Sequence, residues 1–171
     1  SLAREYAPKA HGSWALHRAC TTTAVSTYAL FSSVAALLGG PGQANYSAAN
    51  ACLDAVASCR RVGARVATSV QWGAWAEVGM AARGAAAERM AVMEAASGFG
   101  RIGLALGLGA LHLAVLPRAA SLVGVVLAQW ERMLGGGESP AFLSGMVPMG
   151  TTDRIIAAPI TQREACAISL E

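Results

Sequence analysis

Three short runs of β-branched, aromatic and small residues, STYALFSS (26–33), RVATSVQWG (65–73) and SLVGVVLA (121–128), are separated by stretches long enough for helices. Each run has the length of a strand and is bounded by turn-forming residues. Between the first two lies 45–61, with Ala49, Leu53, Val56 and Ala57 at three-to-four spacing and Gly63 just beyond its end. That is the signature of a helix with one apolar face. Further helices are predicted over 1–20, 81–96, 104–116 and 129–134. The order α-β-α-β-α-α-β-α leaves no room for hairpins between strands. It calls for an α/β fold with a parallel sheet of about three strands and helical crossovers.

Composition narrows the function classes. The 171 residues suffice for one cored domain, and only 13% are charged. The net charge of +3 is carried by scattered arginines, apart from Arg60-Arg61. No basic stripe for nucleic acid results. Cys20, Cys52, Cys59 and Cys166 form no CxxC or metal-like spacing. Cys52 and Cys59, seven apart, share a helix face and read as small buried hydrophobes of a reducing compartment. No signal peptide is visible, so a cytoplasmic location is expected. The longest uncharged apolar run, 102–116, falls short of the ~20 residues a bilayer span needs. A buried helix followed by a buried strand is expected there, and no membrane partner.

The chemistry concentrates around GQANYSAAN (42–50), which follows a Gly-Gly-Pro turn. In open α/β sheets the ligand crevice lies at the carboxyl ends of the strands. Ser32 and Ser33 end the first strand, and the next helix begins there. Tyr46 and Asn50, at i and i+4, share one face of that helix. A hydroxyl, a phenol and an amide on one crevice wall suit carbonyl chemistry: one group binds the carbonyl oxygen and the phenol protonates it. A phenol near its ordinary pKa of about 10 needs a nearby cation for that work. Lys9 is the only lysine, against twelve arginines. GFGRIG (98–103) has the glycines of a dinucleotide fingerprint but follows a predicted helix, so its context is wrong.

Three segments, APKAHGSWALH, ALFSSVAALLGGPGQANYSAANACLDAVASCRR and VATSVQWGAWAEVGMAA, match in order and spacing the forms PKxxGxxxLH, FSSxxxxxGxxGQxxYxxxNxxLDxxxxxRR and SxxWGxWxxxGMA. The chain thereby resembles the ketoreductase domain of type I polyketide synthases and animal-type fatty acid synthases, in the short-chain dehydrogenase/reductase superfamily. The likeness is strong over 5–82 and looser through 128–134, where Gln129 replaces the family's aspartate. It is absent beyond about residue 150.

The resemblance implies the C-terminal portion of a Rossmann-type doubly wound sheet, with the Gly-rich cofactor half missing. Residues 1–134 would belong to the catalytic domain, and 135–171 would be a linker or tail leading to an acyl carrier protein. Tyr46 is implied as proton donor, Ser33 as the group orienting the carbonyl, and Lys9 as the cation that tunes the phenol and holds the cofactor ribose. Asn50 completes the tetrad through a relay water. Trp72 and Gly73 would pass the nicotinamide of NADPH. The reaction implied is reduction of a β-ketoacyl thioester, tethered to the carrier protein by phosphopantetheine, to the β-hydroxyacyl thioester. It needs the missing N-terminal half as partner; a catalytically silent relic fragment is the alternative. Leu38, Pro41 and Asn45 stand where the family sets the stereochemical outcome, and they imply the D-hydroxy product.

Overall fold

The structure, a computed structural model, describes residues 2–76, 98–129, 141 and 166–169. The helices predicted over 81–96 and 129–134 lie outside the described residues, save Gln129. The N-terminal helix is broken into α1 (Leu2–Tyr6), a single π turn (Ala7–His11) and α2 (Gly12–Ala19). Pro8 accounts for the break: it has no N–H to give, so the i→i−4 ladder cannot pass through it. The Gly12 N–H closes the π turn on the carbonyl of Ala7.

Strand β1 (Ala29–Ser33) leads through a short α3 (Ala35–Leu38) and the Gly-rich turn to α4 (Ala44–Val62). Gly39 and Gly42 adopt φ of 70° and 72°, a region that side chains disfavour, so this turn depends on glycine. Next come β2 (Thr68–Trp72), β3 (Phe99–Gly100), α5 (Leu104–Ala114), β4 (Leu122–Ala128) and β5 (Cys166–Ser169).

The five-stranded sheet has a parallel centre, β1-β2-β4, in the register Ala29–Thr68 and Ser69–Leu122. Beside β4 run two antiparallel pieces: β5 against Val123–Val126 and β3 against Leu127–Ala128. The expected three parallel strands are therefore present, with two short antiparallel additions. One of these, β5, lies in the stretch read as a linker or tail.

All five residues of β2 are buried, as befits a central strand covered on both faces. On one face α4 packs Leu53, Val56 and Ala57 against Tyr28, Leu30 and Ala67. On the other, α5 sets Ala110 and Ala114 against Val70, Trp72, Val123 and Val125. Filling each face with side chains of Val or Leu size stabilises the fold by about 1.5–3 kcal/mol per residue.

Two expectations need correction. The segment 102–116 is not an enclosed helix: Leu104, Leu108 and Leu113 on α5 are about half exposed, and only the Gly107, Ala110, Ala114 side is buried. Small residues let that side approach the sheet closely, which leaves the leucines facing outward. Cys59 is exposed and Cys52 half-buried, so these two thiols are not core hydrophobes, whereas the half-buried Cys20 packs against the core. Among the described residues no helix is long and apolar enough to cross a membrane.

Candidate active site

Because α4 runs antiparallel to β1, its first turn stands at the carboxyl end of the parallel strands. Tyr46 occupies that turn, half-buried, and Asn50 lies one turn further in, fully buried. Lys9, in the π turn, reaches across to them. Its Nζ donates to Asn50 Oδ1 at 2.8 Å and to the Phe31 carbonyl at 3.4 Å. It also stands 5.6 Å from the centroid of the Tyr46 ring, within the range of a cation–π attraction. Asn50 Nδ2 donates to the Tyr46 carbonyl at 2.8 Å. The amide is thereby fixed with its oxygen toward the amine. Residues 9, 46 and 50, from two distant segments, meet at one point.

Ser33 ends β1, where its hydroxyl oxygen accepts the Ala35 N–H at 3.2 Å. It thereby contacts the first residue of α3, and no hydrogen bond joins it to Tyr46 among the described residues. Its neighbour Ser32 points to the other face and donates to the Asn50 carbonyl at 3.3 Å. Trp72 ends β2, buried, with Phe31 at 5.8 Å and Trp75 at 5.0 Å between ring centroids. Gly73 N–H donates to the Val125 carbonyl at 2.8 Å, and a Cβ there would come within 3.2 Å of that oxygen. Leu38 closes α3, half-buried, while Pro41 and Asn45 are exposed in the turn and the start of α4.

Deeper along the same face of α4, Asp54 is buried and takes two hydrogen bonds from β2. Ser69 Oγ donates at 2.6 Å and Gln71 Nε2 at 2.8 Å. Sequence reasoning passed over this group. The available signal was the i, i+4, i+8 series Tyr46, Asn50, Asp54, together with polar residues at alternate positions of an otherwise apolar strand. Tyr6, whose phenol oxygen accepts the Cys52 thiol at 3.3 Å, was likewise missed.

GFGRIG supplies β3 and the N-cap of α5. Since β3 is antiparallel to β4, this is not the parallel strand–turn–helix of a diphosphate cradle. No such Gly-rich unit exists among the described residues. The donor set nonetheless fits the ribose end of a nicotinamide cofactor. Of the three N–H bonds on Lys9, two have acceptors in the protein and the third is free to meet a hydroxyl.

An α/β sheet with helices on both faces and a phenol, an amine and an amide at its carboxyl edge defines a Rossmann-type domain. Residues 1–77 match the family model described as KR domain, and the relatives and solved structures to which the chain is similar are polyketide synthases and their ketoreductases. The chain is 51% identical over 78 residues to the phthioceranic/hydroxyphthioceranic acid synthase of Mycobacterium bovis, covering 46% of this chain and 4% of that synthase. It is similar to the solved first ketoreductase of the tylosin polyketide synthase, with a TM-score of 0.68 and 35% identity over 78% of this chain and 28% of that one. An A1-type ketoreductase matches with a TM-score of 0.74 and 32% identity, over 85% of this chain and 30% of that one.

Proposed function

We propose that the chain supplies the proton-donating part of an NADPH-dependent ketoreductase within a cytoplasmic modular polyketide or fatty acid synthase. The substrate is a β-ketoacyl thioester carried by an acyl carrier protein. The observation that carries this reading is the Lys9–Asn50 hydrogen bond of 2.8 Å beside the Tyr46 ring. It gives a phenol the adjacent fixed cation that a carbonyl-protonating group requires.

NADPH, when bound, supplies the hydride. Tyr46 gives its proton to the carbonyl oxygen as charge develops on it. Lys9 stabilises the phenolate left behind and offers its remaining N–H to the ribose. Asn50 holds Lys9 and, with a water, lets a proton return. Ser33 donates its hydroxyl proton to the substrate carbonyl oxygen while its own Oγ accepts the Ala35 N–H. Trp72 and Gly73 would border the nicotinamide. The diphosphate end would be held by sequence other than the described residues, which contain no fitting Gly-rich unit. That last observation also favours a second reading, a segment that is silent by itself.

The test joins this chain to the N-terminal part of a solved ketoreductase and follows NADPH oxidation with a β-ketoacyl thioester. Turnover by the joined protein, with none from the chain alone, is expected. A folded joined protein that binds NADPH yet shows no turnover would favour the silent reading. Leu38, Pro41 and Asn45 direct the D-3-hydroxyacyl product: no bulky ring stands at position 38, and Pro41 fixes the turn beside Tyr46. Chiral chromatography of the product decides this, and a predominantly L product refutes it.

A further inference from the structure

We propose that Tyr6 is a positioning residue for Lys9: its contact with Cys52 pins the turn that carries the amine against α4. The catalytic consequence rests on the ketoreductase reading above, whereas the positioning itself does not.

Lys9 does not sit on a regular helix. It lies inside the π turn Ala7–His11, next to Pro8, where the backbone ladder is interrupted. Such a turn has fewer internal restraints than an α-helix, and a lysine side chain has four rotatable bonds whose ordering is costly. Something outside the turn must fix where Nζ points.

Two side-chain bonds cross from this region to α4. One is Lys9 to Asn50; the other is the Cys52 thiol donating to the Tyr6 phenol oxygen at 3.3 Å. Tyr6 and Lys9 are three residues apart, and each reaches α4 separately, Lys9 at the buried Asn50 and Tyr6 at the half-buried Cys52. Tyr6 also meets His11 edge to face, with ring centroids 6.4 Å apart and planes at 74°. His11 is the last residue of the π turn. Tyr6 therefore touches α4 at one point and the far end of the turn at another, and Lys9 lies between them.

The contact leaves a mark on the phenol itself. The hydrogen bond and charge interaction with Cys52, followed by a little burial, hold the Tyr6 phenol above its ordinary value.

The single lysine makes the test direct. The folded chain is pulsed with acetic anhydride, treated with hydroxylamine to remove any tyrosine ester, cleaved after arginine, and the 5–18 peptide is weighed; the N-terminal amine falls in a different peptide. Asn50→Ala sets the rate of a released Lys9. Tyr6→Phe and Cys52→Ala are expected to raise the Lys9 acetylation rate by roughly 2–10-fold, the worth of one hydrogen bond. Cys52→Ser, which keeps a donor, is expected to retain the parent rate. In the Asn50→Ala background Tyr6→Phe is expected to add nothing.

An unchanged rate in Tyr6→Phe or in Cys52→Ala overturns the proposal. So does a further rise in the Asn50→Ala background, which would mean general loosening. A second readout separates the two ideas. In the joined reductase, Tyr6→Phe is expected to lower kcat with the thioester KM unchanged. If Lys9 is freed but kcat holds, the positioning stands and the assigned role of Lys9 in catalysis falls.

Discussion

Lys9 has three N–H bonds to place, and the protein takes two of them, through Asn50 and the Phe31 carbonyl. The phenol of Tyr46 stands beside that amine with its ring half-buried. In the joined reductase, Tyr46→Phe should lower kcat by roughly 10²–10⁴, the usual weight of a general acid. Thioester KM and NADPH affinity should change little, since the ring is retained. Steady-state kinetics decide this, and a Phe variant at near-parent rate would remove Tyr46 from the role. Little of this site was legible from spacing alone. Tyr46 and Asn50 could be put on one face because a helix repeats every 3.6 residues. Nothing local links residue 9 to residue 50; that pairing came through the resemblance. Tyr6 with Cys52 and Asp54 with Ser69 and Gln71 were not legible at all, because each depends on which elements touch.

At the scale of elements, the three parallel strands were legible because each buries both faces or alternates cleanly. Strands β3 and β5 were not. Two residues at 99–100 and four at 166–169 have no pattern of their own, and β4 makes them strands by pairing with them. Just beyond helix α4, Ala64 lies in the left-handed region at φ 55°, where its N–H bonds the Arg61 carbonyl. An L side chain there costs about 1–2 kcal/mol, and glycine avoids it. Ala64→Gly should therefore stabilise the chain by about 1 kcal/mol, less the entropy glycine adds to the unfolded state; a urea titration measures it. Gly107 on α5 behaves oppositely. A methyl there would fall inside the van der Waals shell of the Trp75 ring. Gly107→Ala should cost about 1–3 kcal/mol as overpacking despite better helix propensity, and an unchanged urea midpoint would contradict that packing.

At the scale of the whole molecule, a buried arginine enters the interior beside a tyrosine. Arg60 is 1% exposed, with its guanidinium 3.9 Å over the Tyr28 ring, its Nε donating to the Val66 carbonyl and Nη1 3.4 Å from His17 Nδ1. Burial raises the Tyr28 phenol above its ordinary value, an effect that the arginine opposes. A phenol that ionises later in the folded chain than in the unfolded one leaves stability intact below about pH 10. Above that the unfolded chain loses its proton first, and stability falls as pH rises toward the folded value. Tyr28→Phe should flatten this alkaline decline, at the cost of the 3.2 Å bond from Tyr28 to the Ser13 carbonyl. Chemical denaturation at pH 9 and pH 11 compares the two. An equally steep decline in the Phe variant would assign it to other groups.

The pairing of β5 with β4 has a consequence in time. About forty residues separate the end of β4 from the start of β5. A ribosome adding about 5–20 residues per second needs several seconds to cross that distance. Throughout that interval the parallel core can assemble, but most of one side of β4 has no partner. The nascent chain is then at its most vulnerable to pairing with a neighbour on the same messenger, and the arrival of β5 ends that exposure.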